Sequence, residues 1–298
     1  MELTVVLPTF RRPASLARAL AGLARQAGAP PYRLVVVDND PEPHPAPQVP
    51  AGARLVREHV RGAAAARNRG LAEADTVLLA MLDDDVVPDP GWLRALAAPV
   101  LEGRADVTGG RVVLDPTVAR PRWLAPELEG YLSALDLGPD EAELGPEQIL
   151  LTASLLTRTA LLREIGGFDV RLGHHGTTRM FGEDVQAVRS LRATGARVRW
   201  VPDAVVVHEL PAARLRPGWV LRRAYLQGRS DWRVDRAALE RRGARGARVA
   251  GSWWLGESRL RRAEGLASRA VAFHAACDAA RTMGALVEAG SWRGGVGG

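Results

Sequence analysis

Lysine is missing. The 40 basic residues of this 298-residue chain are all arginines. A P-loop needs a lysine for its phosphates, so a Walker-type NTPase is excluded. Cysteine is nearly missing too, and Cys277 stands alone. That excludes an intrachain disulfide and a Cys-based zinc cluster, and it fits a reducing compartment. Only 5% of the residues are aromatic, although eight are Trp. No apolar run approaches the roughly 18 residues needed to cross a bilayer. The opening "MELTVVLPTF" lacks a basic leader and its apolar run stops at Pro8, so it does not read as a signal peptide. The expected location is the cytoplasm, with peripheral membrane contact left open.

What is present is ordinary for a soluble globular protein: 47% hydrophobic and 25% charged. The length suits one large domain or a core domain with an appendage. Arginine used without lysine, beside abundant Ala, Gly and Pro, has the bias of a GC-rich bacterial genome. The charge is uneven. Residues 211–298 hold 17 Arg against 7 acids, a surplus of 10, whereas residues 1–210 hold 23 Arg against 27 acids, a deficit of 4. The basic part could meet phosphate, an anionic membrane or nucleic acid, or be a solvated Arg-rich helix face.

Buried strands are expected at Leu3–Pro8, Arg33–Asp40, "ARLVRE" and Thr76–Leu82. Helical patterns open at Pro13, with Leu16, Leu20 and Leu23 on one face, and run through "GAAAARNRGLAEA". Asp89 and Pro90 look like an N-cap and first helical residue, starting a helix through about Leu101. Strand-like runs follow at Asp106–Leu114 and Ile149–Thr157. "RTALLREIGGFD" reads as a helix closed by Gly166 and Gly167. Leu172–Gly182 reads as a polar loop. The stretch "EDVQAVRSLRATGARVRWVPDAVVVHE" reads as a helix capped by Gly195 and two short strands. Beyond His208 the pattern is helical and Arg-rich, with a Gly-rich tail expected to be disordered. Alternating strands and helices give a layered α/β sheet. The expected domains are a core of residues 1–210, with 115–148 as a lid or acceptor insert, and a helical region of 211–298.

In open α/β sheets, ligands sit beyond the carboxyl ends of the strands. That is where Asp38 and the run Asp83, Asp84, Asp85 fall. Three adjacent carboxylates repel. Asp83 and Asp85, two apart on a turn, could face one divalent cation bound through oxygen, which would supply the missing charge. A solvated acidic turn is the alternative. Asp38 could accept from a ribose hydroxyl or base N–H, or be a strand-end turn acid. Arg67 could bind phosphate or lie on an exposed helix face. Asp184, behind Glu183 at a helix start, could be a general base in a crevice, or an acid favoured there by the dipole alone. His208 ends the last apolar strand, where it could ligate metal or be structural.

Taken in order, "VVLPTFRRPASLARAL", "VVVDND", "GAAAARNRGL", "LLAMLDDDVVPDPGWL", "REIGGFD" and "GEDVQAVRSLRATGARVRWVPDAVVVHE" resemble the inverting family 2 glycosyltransferases with a GT-A fold, over residues 3 to about 209. The resemblance implies a Rossmann-like, mixed, mostly parallel sheet flanked by helices, with the Arg-rich helices as an extension. It implies that Pro8, Thr9, Phe10 and Asp38 hold the nucleotide base and ribose, with help from Arg12. Arg67 would lie near the pyrophosphate or brace the acidic motif. Asp83 would contact the ribose, Asp85 and His208 would bind Mg²⁺ or Mn²⁺, and Asp84 would sit between Asp83 and Asp85, touching the sugar. Asp184 would be the catalytic base. Gln227–Arg233 would close over the diphosphate. The implied reaction moves one sugar from a nucleoside-diphosphate sugar to a hydroxyl or amine on a small-molecule, lipid-linked or glycan acceptor, with no nucleic acid as partner and the oligomeric state open. Three rivals are carried: a sugar-phosphate nucleotidyltransferase, which usually opens with a Gly-rich loop and a Lys; a non-catalytic nucleotide or regulatory module; and a nucleic-acid binder resting on the basic C-terminal part.

Overall fold

A computed structural model describes residues 3–42, 45–175, 178–179, 181–241 and 269–293. The chain divides into two compact units. The first comprises residues 1–116, 133–177 and 183–209; the second comprises 117–132, 178–182 and 210–298. The stretch 115–148 is therefore shared, its first half grouping with the C-terminal helices and its second half with the sheet.

The first unit is built on β1 (Leu3–Thr9), β2 (Tyr32–Asp38), β3 (Arg54–Arg57), β4 (Leu78–Met81), β5 (Val86–Pro88), β6 (Val107–Leu114), β7 (Ala142–Glu143) and β8 (Leu155–Arg158). The two-residue strands β9 (His174–His175) and β10 (Thr178–Arg179) fall in the stretch expected to be a polar loop, and β11 (Val198–His208) closes the sheet. The sheet order is β3-β2-β1-β4-β8-β6-β11-β5, with β7 on β11. β3, β2, β1 and β4 run parallel, as do β6 and β11, while β8 is antiparallel to both of its neighbours. The sheet is thus mixed and mostly parallel, as expected.

Its helices are α1 (Pro13–Ala24), α2 (Ala63–Glu73), α3 (Trp92–Leu101), α4 (Thr159–Glu164) and α5 (Glu183–Ala193). Alternation along β1 sorts them. Leu3, Val5 and Leu7 point to one face and pack with Leu16, Ala19 and Leu23 of α1 and Trp92, Leu93 and Leu96 of α3. Val6 points to the other, with Ala64, Ala66 and Leu71 of α2 and Ala187, Val188 and Leu191 of α5. Burying a Leu or Val side chain in this way contributes about 1.5–3 kcal/mol. α2 lies very close to β1, because a Cβ on Gly70 would come within 2.1 Å of Val6 Cγ1. A larger residue there would lift off the helix that carries Arg67.

Departures from the expected elements have tertiary causes at α3, at β8 and at β11. α3 begins at Trp92 and not at Pro90, because Asp89 is held in a turn: its N–H donates to Val205 O, and its carbonyl accepts from Trp92 N. Ile149–Thr157 is not one strand. Residues Thr152–Ser154 form a 3-10 turn, pinned by Trp92 Nε1 donating to Ser154 Oγ at 2.9 Å, and β8 starts after it. The two short strands after Gly195 are one, β11, whose register against β6 shifts between Val201 and Val206. Pro202, which has no N–H to give a ladder, lies in that bulge.

Among the described residues, the second unit contains two 3-10 segments, Pro126–Leu132 and Ala212–Leu215, and two long helices, α6 (Pro217–Arg241) and α7 (Arg269–Arg293). α6 and α7 pack closely through glycines: a Cβ on Gly228 would fall 1.8 Å from Arg281 O, and one on Gly284 1.9 Å from Tyr225 O. Glu288 of α7 accepts from Arg229 and Arg233 of α6 at 2.7 and 2.6 Å. The Gln227–Arg233 stretch therefore sits inside α6 with both of its arginines engaged. The Gly-rich tail and the Trp253–Trp254 pair lie outside the described residues.

Candidate active site

Parallel strands deliver their carboxyl ends to one edge of the sheet, and the candidate residues collect there. Thr9 ends β1 opposite Asp38, which ends β2. Asp83, Asp84 and Asp85 follow β4, whose neighbour is again β1. His208 ends β11 opposite Val86 of β5 and Leu114 of β6.

The three adjacent acids have three environments. Asp84 turns inward and is buried. Its Oδ2 accepts from Thr9 Oγ1 at 2.8 Å and its Oδ1 from Arg12 Nη1 at 3.0 Å. Desolvation pushes its carboxyl up to about 6, against the downward pull of Arg12. Asp84 is thus a brace for the turn. Asp85 receives Arg12 Nη1 at 2.8 Å on Oδ2, and its Oδ1 lies 3.6 Å from His208 Nε2. Asp83 accepts from Arg67 Nη2 at 2.8 Å.

Arg67 joins two distant motifs. Its Nη1 donates to Glu183 Oε1, also at 2.8 Å, so one guanidinium spans the acidic turn and the start of α5. Arg67 is buried, and its ring neighbour is Phe168, 5.8 Å from the guanidinium carbon. Asn68 locks the same helix to the "GGFD" turn, donating to Phe168 O and accepting from Phe168 N, each at 2.8 Å. Arg69 points the other way and pairs with Glu73 at 2.7 Å, an i,i+4 surface pair. Arg67 therefore braces the acidic turn against the start of α5.

Asp184 follows Glu183 on α5, and Asp184 Oδ1 accepts from Val185 N at 2.8 Å. Desolvation pushes its carboxyl up to about 7; the nearby Glu183 adds to the rise and Arg67 opposes it. Gly173 makes room for this pair. Its φ is +82°, and a Cβ there would meet the Glu183 carboxyl at 2.9 Å.

At the β1–β2 end, Asp38 Oδ1 accepts from Asp40 N at 3.2 Å and Oδ2 from Arg57 Nη2 at 3.3 Å. The guanidiniums of Arg11 and Arg61 lie 5.2 and 4.6 Å from the centre of the Phe10 ring. Arg11 forks onto Asp40 through Nε at 2.6 Å and Nη2 at 3.1 Å. Arg12 parts from these residues and goes to the acidic turn.

Two contributors were not singled out from sequence. Glu209 clamps α1 beside His208: it accepts from Ser15 Oγ and Arg18 Nε, both at 2.8 Å, and its N–H donates to Asp85 O at 2.9 Å. Its adjacency to His208 was the available signal. Asn39, buried, accepts from Gly62 N at 2.7 Å and so sets the start of α2; nothing in spacing marks it.

A mixed sheet with this strand order, and acids gathered at its carboxyl edge, defines the GT-A class of fold. Within it, the chain belongs to glycosyl transferase family 2, whose family model matches residues 4–154. It is 32% identical over 235 residues to the pre-mycofactocin glycosyltransferase of Mycobacterium tuberculosis, covering 76% of this chain and 46% of that one. It thus spans about half the length of that relative. It is 25% identical over 249 residues to the glucosyl-dolichyl phosphate glucuronosyltransferase of Haloferax volcanii, covering 79% and 78% of the two chains. Among solved structures, the crystal structure of S. aureus TarS superposes with a TM-score of 0.52 at 16% identity, covering 95% of this chain and 55% of that one. That likeness concerns the fold alone. Among the described residues, no helix is long and apolar enough to cross a membrane.

Proposed function

We propose that this chain is a glycosyltransferase that moves one sugar from a nucleoside-diphosphate sugar to an acceptor hydroxyl or amine, with inversion and with help from a divalent cation. One observation carries the reading. Arg67 ties the Asp83–Asp85 turn to Glu183, which lies 116 residues along the chain from Arg67, so a cation-suited carboxylate and a carboxyl raised toward neutrality share one end of one sheet.

The roles follow from the chemistry of each position. The acceptor oxygen attacks the anomeric carbon as the bond to the donor's phosphate oxygen breaks, and the diphosphate leaves with the electron pair. Asp184 takes the proton from the attacking hydroxyl. A carboxyl near pH 7 is ionised often enough at neutral pH to act, and is a stronger base than an ordinary aspartate. Arg67 keeps that carboxylate from being pushed still higher. Asp38 accepts from the base or ribose, and Phe10 with the backbone of Pro8 and Thr9 lines the same end. Asp83 reaches the ribose from the other side of the turn.

The donor set suits a hard or borderline cation, since Asp85 offers oxygen and His208 an imidazole nitrogen 3.6 Å away. Among the described residues, no three His, Cys, Asp or Glu side chains converge as a complete metal cage. Asp85 and His208 would thus hold Mg²⁺ or Mn²⁺ together with phosphate oxygens of the donor. Bound there, the cation supplies charge stabilisation to the departing diphosphate. The acceptor is proposed to be a glycan, a lipid-linked group or a small molecule; the glucosyl-dolichyl phosphate in the name of the Haloferax volcanii relative belongs to the second of these.

Asp184→Asn tests the reading. It should remove turnover while leaving metal-dependent nucleotide binding in place; retained turnover would overturn the assignment of the base.

A further inference from the structure

We propose that Arg12 is a displaceable counter-ion: it neutralises the acidic turn in the donor-free protein, and yields Asp85 to a divalent cation far more readily when a diphosphate is there to receive it. The inference rests on the metal reading of Asp85 above and adds a residue whose role that reading leaves open.

A single nitrogen carries the contact. Arg12 Nη1 donates to Asp84 Oδ1 at 3.0 Å and to Asp85 Oδ2 at 2.8 Å. The two carboxylates differ in what else holds them. Asp84 is buried and fixed by Thr9, whereas Asp85 also faces His208. The Arg12 side chain is 46% exposed, against 7% and 14% for its two partners. It can swing on its flexible stem without opening the core, while its backbone is fixed at the entrance of α1 by the following Pro13. Its neighbour Arg11 is spoken for by Asp40 and Glu42. Arg12 is therefore the arginine of this pair that is placed to move.

The consequence is competition followed by cooperation. A cation coordinated by Asp85 would come within a few ångström of the guanidinium, and like charges at that range repel strongly. Metal alone must displace Arg12 and binds weakly. A diphosphate brings negative charge for both the metal and the released guanidinium, so metal and donor bind together. A guanidinium also matches phosphate oxygens in geometry and charge. Arg12 thereby couples metal binding to donor binding, a positioning role toward the leaving group.

The test uses the full chain and Mn²⁺ alone, with free ion followed by electron paramagnetic resonance. Arg12→Gln keeps a hydrogen-bond donor for Asp84 and removes the charge. It should bind Mn²⁺ about tenfold more tightly than the wild type, the order for one unit charge at short range in a half-exposed site. Arg12→Lys should behave like the wild type, which a purely structural role would not produce. Added inorganic pyrophosphate should raise the Mn²⁺ affinity of the wild type more than that of Arg12→Gln. Equal Mn²⁺ affinities for wild type and Arg12→Gln, or no detectable binding by either, would overturn the proposal. Asp85→Asn separates the two readings. If it leaves Mn²⁺ binding unchanged, with and without pyrophosphate, the metal assignment itself fails. If it abolishes that binding while Arg12→Gln binds no more tightly, only the role of Arg12 fails.

Discussion

Arg67→Ala should damage both stability and the proton-accepting step, and the structure sets the size of each. Arg67 and Glu183 are both buried, and Arg67 makes its two ion-pair contacts at 2.8 Å. Removing it leaves Glu183 without that partner in a low-dielectric site beside Asp184. Breaking a buried pair from one side costs about 3–5 kcal/mol. For a domain of this size each kcal/mol lowers Tm by about 2–4 °C, so a fall of about 10 °C is expected in thermal unfolding. The second effect has a sign. Arg67 is the charge that holds the Asp184 carboxyl down against desolvation and Glu183. Without it, that carboxyl moves further up, and the acid limb of the kcat/KM profile moves to higher pH. Arg67→Lys keeps the charge but cannot span both acids with a fork, so it should fall between wild type and Ala on both measures. An alanine variant that melts within about 2 °C of the wild type and keeps its acid limb in place would refute the bridge.

Gly173→Ala approaches the same bridge from the other side: the left-handed backbone costs a non-glycine residue about 1–2 kcal/mol, and the new Cβ would press on the Glu183 carboxyl. Loss of stability by chemical denaturation together with lower turnover is expected, and an unchanged variant would contradict the packing. Stability should also depend on pH through Asp184 and Asp84, whose carboxyls are raised to about 7 and about 6. An acid raised on folding binds its proton more tightly in the native state than in the unfolded chain, so stability falls as pH climbs from about 4 to about 7. Asp184→Asn should flatten that slope and gain up to about 4 kcal/mol over the wild type at pH 8 relative to pH 4 in urea unfolding. Parallel wild-type and variant curves would contradict the shift.

The sheet was legible because its strands are short apolar runs that end in turn residues or acids, and each helix between them shows one apolar face. Where local pattern failed, tertiary contacts had overridden it. Trp92 pins Ser154 and breaks one apolar run, and the bulge at Pro202 lets β11 continue past a residue that ordinarily ends pairing. In the site, strand-end position located Asp38, Asp83–Asp85 and His208, because that inference needs only topology. Side-chain direction was not legible. Adjacent aspartates look alike in sequence, yet Asp84 turns in to Thr9 while Asp83 and Asp85 are taken by Arg67 and by Arg12 with His208. Arg12 and Glu209 act through partners 72 to 194 residues away, a distance at which spacing carries no signal.

Asp85 and His208 are proposed to hold a cation jointly with the diphosphate of a sugar donor. Thermal unfolding with each nucleoside diphosphate, with and without Mn²⁺, tests it most directly, since a ligand that binds only the native state raises Tm with occupancy. A shift with one nucleotide that needs Mn²⁺, and that is lost in Asp85→Asn, is the predicted result. No shift with any nucleotide, or the same shift in Asp85→Asn, would contradict it.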